Sequence, residues 1–320
     1  MTLPGRDTLN GAHRVVSRRG VRMSSEQSIT FGVMCAADFM AHDQLQAFAR
    51  RAEASGLDQI WVPELLGRDP FITASVLLAA TQTIRVGTAI ANVYVRDARA
   101  TKAAAFSLTD AFGERFDLGL GVSNPVGNEP RGHSWLAPVT KLTDFVERYD
   151  AARLFVKSEQ PPIPRYLAAH GPKLMALAGR HFDGAFTYLQ TLEYSRIAKS
   201  LLGEGRLNLM QPTVFSEDAD HARALARRAI SIYLPLENYH RAWRERGFSD
   251  ADFADGGSDA FIDALIPWGN RSDIAVRFRD QIVQGVGHII MTPLGLELSQ
   301  DHDWTEITAL MQSVRQPVSG

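Results

Sequence analysis

The 320-residue sequence contains a single cysteine, Cys35, which lies in an apolar run. One cysteine excludes an intramolecular disulfide and a zinc site built from several cysteines, and in this setting it is most simply a small core residue. This cysteine usage is compatible with a reducing compartment, and we expect a cytoplasmic protein.

The sequence also lacks an excess of charge of either sign. The formal net charge is −2, and no Lys/Arg block lies on an aromatic-rich segment, so no nucleic-acid partner is expected. No uninterrupted apolar run reaches the roughly eighteen residues that a membrane-spanning helix requires, so we expect no membrane association. With 45% hydrophobic and 22% charged residues, the composition is that of an ordinary globular protein.

The first 28 residues are rich in arginine and contain few acidic residues, and they lack the apolar core of a secretory signal. We predict a disordered N-terminal extension over residues 1–28, or a start codon assigned upstream of Met23. A transit peptide is the alternative. The remainder, residues 29–316, is expected to fold as one domain.

From residue 29 onward, short apolar or β-branched runs alternate with amphipathic segments, which is typical of β-α units around a parallel sheet. The runs with strand character cover 29–35, 58–63, 83–91, 116–122, 164–170, 184–190, 207–215 and 287–294. Parallel strands in this number predict a closed α/β fold, the (β/α)8 TIM barrel, rather than the open doubly wound sheet that shares the same local signals.

Two connections are longer than such a barrel needs. One covers residues 123–140 after the fourth strand, and the other covers residues 234–270 before the helix that precedes the eighth strand. The second is rich in aromatic residues, which predicts packed helices that cover a site. Active sites of these barrels lie at the C-terminal ends of the strands, so the residues there are the candidates for chemistry.

The end of the fifth strand is one candidate site. His170 ends the strand, and Gly171 and Pro172 then begin a helix. The free amides of a helix N-terminus bind phosphate, and a glycine there permits close approach. The alternative is that the Gly-Pro pair only starts a helix. Small residues at the ends of other strands open a slot for a flat ring or serve only the packing of the barrel; they are Ala36, Ala37, Ala89, Ala91, Gly119 and Gly121.

Familiar nucleotide-binding and hydrolase motifs are missing. The glycine pair of GLGVSNP (119–125) lacks the third glycine of a dinucleotide fingerprint, and Pro125 stands where a nucleophile elbow needs glycine. No H-x-x-x-H pair lies on a predicted helix, and we expect no metal site. A metal-dependent barrel hydrolase or aldolase is a further alternative, and it would need carboxylate and histidine ligands at several strand ends. Only Asp38, Glu64 and His170 loosely meet this requirement.

Five segments, in order along the chain, resemble the bacterial luciferase-like flavin and deazaflavin-dependent oxidoreductases, particularly the F420-dependent branch. They are RAEASGLDQIWVPELLGRDPF (51–71), TIRVGTAIANVYVRD (83–97), GERFDLGLGVSNP (113–125), GPKLMALAGRHFDGAF (171–186) and WGNRSDIAVRF (268–278). The resemblance implies a barrel that binds FMN or F420 with the ring at the strand C-termini. It also implies a homodimer.

The resemblance implies roles for individual residues. Glu64 occupies the place of an acidic residue near the ring, and we hypothesise that it is the catalytic proton donor or acceptor, with His133 as the second choice. Ala89 and Ile90 take the place of the strand-three bulge, often a non-prolyl cis peptide, that supports the ring. The other implied cofactor-binding residues are Asn92, Val122, Ser123 and Asn124 around the ring, and His170, Gly171 and Pro172 at the phosphate.

Two departures from the family bear on the substrate. Asn124 stands where the sugar-phosphate dehydrogenases carry a proton-donating glutamate, and YLQTLE (188–193) lacks their phosphate-binding lysine. The aromatic insertion favours a small, fairly apolar substrate such as an alcohol, ketone or enone, and the expected activity is F420-dependent hydride transfer. The alternatives are FMN-dependent monooxygenation, with a flavin or F420 reductase as partner, and a flavin-binding protein without catalysis.

Overall fold

The computed structural model describes residues 29–316, so the prediction for residues 1–28 lies outside the described residues. The strands are β1 (Thr30–Met34), β2 (Gln59–Val62), β3 (Arg85–Thr88), β4 (Ala91–Asn92), β5 (Phe116–Gly121), β6 (Arg165–Ala168), β7 (Gly184–Tyr188), β8 (Arg206–Phe215), β9 (Trp268–Gly269) and β10 (His288–Leu294).

The helices follow the strands in alternation, and several begin at an aspartate. Asp69, Asp97 and Asp218 precede α2, α3 and α8, and their carboxylates accept backbone N–H groups of the first turn. The helices are α1 (His42–Ala54), α2 (Pro70–Ala79), α3 (Ala98–Phe112), α4 (Pro125–Asn128), α5 (Pro138–Ala151), α6 (Pro172–His181), α7 (Leu192–Leu202), α8 (Ala219–Ile230), α9 (Glu237–Arg244), α10 (Asp250–Phe253), α11 (Asp259–Leu265), α12 (Arg271–Val283) and α13 (Asp301–Arg315).

The sheet closes on itself. β10 pairs in parallel with β1 on one side and with β8 on the other, and the remaining strands follow in chain order between them. β4 continues the line of β3 along β5, and β9 pairs with the end of β8. The predicted (β/α)8 barrel is therefore confirmed, with 8 parallel strands surrounded by helices.

Alternate residues of each strand face the helices and the barrel interior. On β1, Phe31 and Val33 join the apolar cluster between the sheet and the helices. Trp61, Tyr166 and Phe186 fill the interior, and the ring of Trp61 lies edge-on to those of Tyr166 and Phe186 with centroids 5.8 and 4.9 Å apart. The middle of the barrel is thus a packed core, and ligands must bind at its mouth.

A polar network occupies the N-terminal end of the barrel. Asp117 is fully buried, accepts a hydrogen bond from Gln59 Nε2 at 2.7 Å and forms an ion pair with Arg85. The guanidinium of Arg206 lies 3.7 Å from the same carboxylate. Because the buried charge has two cationic partners, this network stabilises the end of the barrel that lies away from the candidate site.

The second insertion contains α9, α10 and α11; we call residues 234–270 the helical cap. Trp243 and Phe261 are fully buried there, in an apolar cluster shared with α8 and separate from the main core. Trp243 Nε1 donates to the carbonyl of Leu189 at 2.8 Å, which ties the helical cap to the end of β7. The helical cap is therefore a packed structure at the C-terminal mouth of the barrel.

No helix within residues 29–316 is long and apolar enough to cross a membrane. The same part of the chain holds no group of three or more His, Cys, Asp or Glu side chains that could bind a metal ion. Cys35 is fully buried, and burial raises its pKa to about 12. The thiol is therefore protonated at neutral pH, and the side chain acts as a small apolar residue.

Candidate active site at the C-terminal mouth of the barrel

Three apolar side chains form the floor of the C-terminal mouth. Met34 on β1, Ile90 after β3 and Met210 on β8 pack against the aromatic cluster in the barrel interior and are themselves only half-buried. An apolar floor of this kind can take the face of a flat ring.

The peptide bond between Ala89 and Ile90 is cis, as the resemblance implies for this position. A Cβ atom at Gly119 would lie 1.9 Å from the carbonyl oxygen of Thr88, and one at Gly121 would lie 2.7 Å from Ile90 Cγ1. The interpretation that these glycines clear a slot for a ring is therefore wrong. They make room for the bulge between β3 and β4, and the bulge presents Ile90 to the floor.

Glu64 follows β2, and both of its carboxylate oxygens are engaged. Oε2 accepts the backbone N–H of Asn92 at 2.7 Å. The guanidinium of Arg96 donates to Oε2 at 2.6 Å and to Oε1 at 2.9 Å. The Glu64 side chain is 9% exposed and that of Arg96 is 14% exposed. Glu64 thus joins the ends of β2 and β4, while its role in proton transfer stays a hypothesis.

Asn128 connects this region to the first insertion. Its Oδ1 accepts from Asn92 Nδ2 at 2.8 Å, and its Nδ2 donates to the carbonyls of Val122 and Asn124 at 2.8 and 2.9 Å. The side chain is fully buried. Sequence reasoning missed Asn128, although a second amide four residues after Asn124 was a signal that could have indicated it.

The other predicted residues of the first insertion lie around Asn128. Ser123 has a positive φ of 57° and is exposed, and the Asn124 side chain caps α4. The backbone N–H of His133 donates to the Asn128 carbonyl at 3.3 Å, and its ring centre lies 5.9 Å from that of Tyr94. One hydrogen-bond network therefore brings together Glu64, Asn92, Val122, Asn124 and His133.

A second group of predicted residues lies at the ends of β6 and β7. The His170 ring packs edge-on against Tyr239 of the helical cap, with centroids 4.6 Å apart. Its Nδ1 is 3.5 Å from Gln190 Nε2, and its carbonyl accepts the Tyr194 hydroxyl at 2.9 Å. Burial lowers the pKa of His170 to about 4, so the ring is neutral at pH 7.

The start of α6 offers free backbone donors. Gly171 is the N-cap, and no side chain among residues 29–316 caps the helix there. A Cβ atom at Gly171 would meet no atom within 4 Å. Pro172 carries no N–H group, so the donors are those of the N-cap and of the next two residues, Lys173 and Leu174. This arrangement fits a phosphate group.

Three tyrosines lie between β7 and the helical cap. Ring centroids are 5.1 Å apart for Tyr188 and Tyr233, and 5.3 Å for Tyr233 and Tyr239. Burial raises the pKa of all three hydroxyls, so these groups are neutral at physiological pH. Sequence reasoning predicted an aromatic insertion but could not identify the tyrosine that contacts His170.

Comparison with known proteins places the chain in a family. The model of the luciferase-like monooxygenases matches residues 17–287. The 5,10-methylenetetrahydromethanopterin reductase of Methanolobus tindarius is 24% identical over an alignment of 316 positions, gaps included, that covers 83% of this chain and 95% of the relative. The F420-dependent glucose-6-phosphate dehydrogenase of Beutenbergia cavernae is 28% identical over an alignment of 238 positions that covers 62% of this chain and 71% of the relative.

Solved structures share the fold. An F420-dependent secondary alcohol dehydrogenase in complex with an F420-acetone adduct has a TM-score of 0.71 at 13% identity, over 90% of this chain and 99% of that one. A structure with FMN bound is among the neighbours as well. The chain belongs to the luciferase-like monooxygenase family and is an enzyme of the type that uses a flavin or deazaflavin cofactor.

Proposed function

We propose that the protein is an F420-dependent oxidoreductase that transfers hydride between the deazaflavin and a small, fairly apolar alcohol, ketone or enone. The observation that carries this proposal is the open, uncapped N-terminus of α6 at the same end of the barrel as the apolar floor. A flat ring with a phosphate-bearing side chain requires both features. We choose F420 as the cofactor because relatives of the chain are F420-dependent.

The residues present fit such a cofactor. Met34, Ile90 and Met210 would contact the face of the ring, and the amides that follow Gly171 would hold the phosphate. Bound F420 supplies a hydride donor or acceptor. Of the residues that the resemblance places at the ring edge, Ser123 is exposed at the mouth and has a hydroxyl that can donate a hydrogen bond.

The proton that accompanies hydride transfer requires a second group. Glu64 is the first hypothesis and His133 the second. His170 is neutral at pH 7 because burial lowers its pKa to about 4. A neutral imidazole can donate a hydrogen bond to a substrate oxygen without bringing a charge into the site.

The tyrosines beside β7 support a neutral substrate. Tyr188 and Tyr233 are half-buried, and both hydroxyls stay protonated because burial raises the pKa of each. Aromatic faces bind apolar groups, and the hydroxyls can bind one oxygen of an alcohol or ketone. These properties favour the apolar substrate class over a sugar phosphate.

FMN-dependent monooxygenation is the second candidate function. The start of α6 would accept the FMN phosphate equally well, and an FMN-bound structure shares the fold. This candidate requires a reductase partner that delivers reduced flavin. A homodimer is proposed in both cases, and light scattering of the purified protein would then give twice the mass of one chain.

Titration of the purified protein with F420 and, separately, with FMN tests the proposal. Quenching of cofactor fluorescence at fixed salt reports binding, and binding of F420 alone would be followed by assays with secondary alcohols, ketones and enones. Binding of FMN alone would favour the monooxygenase. Binding of neither would overturn the proposal.

A variant at Gly171 tests the phosphate position. A side chain there meets open space in the protein, so Gly171→Val should fold normally while it blocks the donors of α6. We expect at least a tenfold loss of affinity for FMN or F420 and no loss for riboflavin, which carries no phosphate. Equal losses for FMN and riboflavin would contradict a phosphate at this turn.

A further inference from the structure

An open cavity lies at the N-terminal end of the barrel, opposite the candidate active site. Its volume is about 390 Å³, and its lining includes Leu57, Asp58, Ile84, Arg85 and Arg206. These residues lie at or just before the starts of β2, β3 and β8. Sites for small molecules have volumes of about 300–1,000 Å³. The cavity is therefore large enough for a small organic ligand, and the reaction proposed at the opposite mouth does not use it.

Arg206 has hydrogen-bond donors without a partner. Its Nε donates to Asn208 Oδ1 at 2.8 Å, and its Nη2 lies 3.4 Å from Gln59 Oε1 and 3.7 Å from the Asp117 carboxylate. Within residues 29–316, Nη1 has no hydrogen-bond partner. The guanidinium carbon lies 4.5 Å from the ring centre of Tyr166, which supports the group from one side. The Nη1 donors are therefore available to a ligand in the cavity.

Arg85 is the second arginine of the lining, and its side chain is 34% exposed. Its Nη2 pairs with Oδ1 of Asp117, and its Nη1 donates to the backbone carbonyl of Glu114. Its Nε has no partner in the part of the chain that the structure describes. Because Arg206 approaches Oδ2 of the same aspartate, the two guanidinium groups contact one carboxylate and lie close to each other.

The positive charges at this cavity exceed the negative ones. Asp58 is the acidic residue of the lining, and its Oδ2 pairs with Arg315 at 3.1 Å. Arg85 and Arg206 share Asp117 as their ion-pair partner, so two positive charges face one buried negative charge. One positive charge therefore remains for a ligand to compensate.

The chemistry of the lining favours one class of ligand. Guanidinium N–H groups bind carboxylates through paired, charge-assisted hydrogen bonds, and the single remaining positive charge matches a monoanion. Leu57 and Ile84 add an apolar wall, which suits the hydrocarbon part of an organic acid. A ligand with both parts would contact the starts of three strands at once.

We propose that this cavity binds a small organic monocarboxylate. Its carboxylate contacts Arg85 and Arg206, and its hydrocarbon part contacts Leu57 and Ile84. The ligand connects the starts of β2, β3 and β8, so its binding stabilises the folded barrel. This site is separate from the one that the proposed function assigns to cofactor and substrate.

Acetate, hexanoate and benzoate are the probes, each compared with chloride at equal ionic strength. The thermal unfolding midpoint should rise by about 2 °C at a tenfold excess of hexanoate or benzoate over the dissociation constant. Acetate should have a smaller effect because it lacks a large hydrocarbon part. Benzamide, the neutral counterpart of benzoate, should have none. Absence of a rise with all three carboxylates, or an equal rise with benzamide, would overturn the proposal.

Arg206→Gln tests the position of the carboxylate. The variant should bind benzoate at least tenfold more weakly in calorimetric titration. Arg223→Gln is the matched control, because the Arg223 side chain is 22% exposed against 19% for Arg206. Arg223 also pairs with an aspartate, Asp263 at 2.6 Å, and lies 5.5 Å from the ring centre of Trp268. It should keep the wild-type affinity, whereas wild-type affinity in Arg206→Gln would overturn the proposal.

Asp58→Asn tests the same site with the opposite sign, and it decides the question if Arg206→Gln does not fold. Asparagine keeps an oxygen that can accept the backbone N–H of Phe31. The substitution removes a negative charge from the lining and releases Arg315, so benzoate should bind about two- to fivefold more tightly. Unchanged or weaker benzoate binding by folded Asp58→Asn would overturn the proposal.

Titrations with FMN and F420 keep this proposal apart from the proposed function. Saturating benzoate should leave the affinity for either cofactor unchanged, because the two sites lie at opposite ends of the barrel. Direct competition would show that benzoate binds at the C-terminal mouth and would overturn the proposal. Protein that binds neither cofactor would overturn the proposed function, and a benzoate response lost in Arg206→Gln would still support the carboxylate site.

Discussion

Oε2 of Glu64 accepts the backbone N–H of Asn92 at 2.7 Å, just beyond the cis peptide bond between Ala89 and Ile90. The same carboxylate pairs with Arg96. Glu64 therefore fixes the backbone that follows the bulge to the end of β2. A substitution at this position changes the support of the floor as well as any proton transfer, and the two effects must be measured separately.

Glu64→Gln should destabilise the fold. Glutamine retains an oxygen for the Asn92 amide, but the neutral side chain leaves the half-buried Arg96 without its closest counter-charge. We expect the free energy of unfolding to fall by about 1–3 kcal/mol in urea denaturation.

Asp69→Asn is the control for Glu64→Gln. Asp69 also contacts Arg96, at 2.9 Å, but its side chain is 45% exposed, and asparagine keeps the cap of α2. The free energy of unfolding of Asp69→Asn should fall by less than about 1 kcal/mol. Equal losses in the two variants would contradict a special role of the Glu64–Arg96 pair, and full turnover by folded Glu64→Gln would remove Glu64 as proton donor.

His170 should make stability depend on pH in the mildly acidic range. Burial lowers its pKa from 6.5 to about 4, so the folded protein binds this proton more weakly than the unfolded chain does. The contribution to stability is complete above pH 6.5 and is lost as the pH falls from 6.5 through 4. Buried His288, whose pKa is also lowered, acts with the same sign.

His170→Gln removes one of these two groups. Between pH 7 and pH 4, the unfolding free energy of the variant should fall less than that of the wild type, by about 1–3 kcal/mol. His221→Gln, at an exposed position on α8, should keep the wild-type dependence. Parallel curves for His170→Gln and the wild type would show that His170 is not buried in its neutral form.

The barrel could be predicted from the sequence because its signal is local. Strands such as β1 place Phe31 and Val33 against the helices, and the apolar runs repeat at regular intervals along the chain. The open turn at Gly171 was predictable for the same reason, since a strand, a glycine and an N-terminal proline adjoin each other in the sequence.

Contacts between distant segments could not be predicted in this way. The glycines of β5 suggested a slot for a ring, but whether a glycine leaves a space open depends on the neighbouring strand, and here Ile90 fills the space at Gly121. The partners of Glu64 and the position of Arg246 beside α7 likewise depend on register and on the packing of the helical cap. Residue type alone carries no information on the register of the strands or on the packing of the helical cap.

Gly121→Ala should disturb the floor through Ile90. The added Cβ would lie 2.7 Å from Ile90 Cγ1 and 2.9 Å from its Cδ1, so Ile90 must move, and we expect a loss of about 1–3 kcal/mol in unfolding free energy. Ile90→Ala removes both clashing atoms. The double variant should therefore be less destabilised than the sum of the single variants, and strict additivity in this double-mutant cycle would contradict direct packing.

Asn128→Ala should loosen the first insertion. The substitution leaves Asn92 Nδ2 without its acceptor and the carbonyls of Val122 and Asn124 without their amide donor. Because the side chains of Asn128 and Asn92 are buried, we expect a loss of about 2–4 kcal/mol in unfolding free energy. Hydrogen exchange should become faster in residues 123–140.

The control for Asn128→Ala is Asn124→Asp, in which a carboxylate oxygen still caps α4 by accepting the backbone N–H of Gly127. The N-cap of α4 needs only an oxygen acceptor, so the unfolding free energy of Asn124→Asp should stay within about 0.5 kcal/mol of the wild type. If Asn128→Ala left exchange in residues 123–140 unchanged, the insertion would be held by other contacts, such as the stacked rings of Tyr94 and Trp135. The network would then position Asn92 without ordering the insertion.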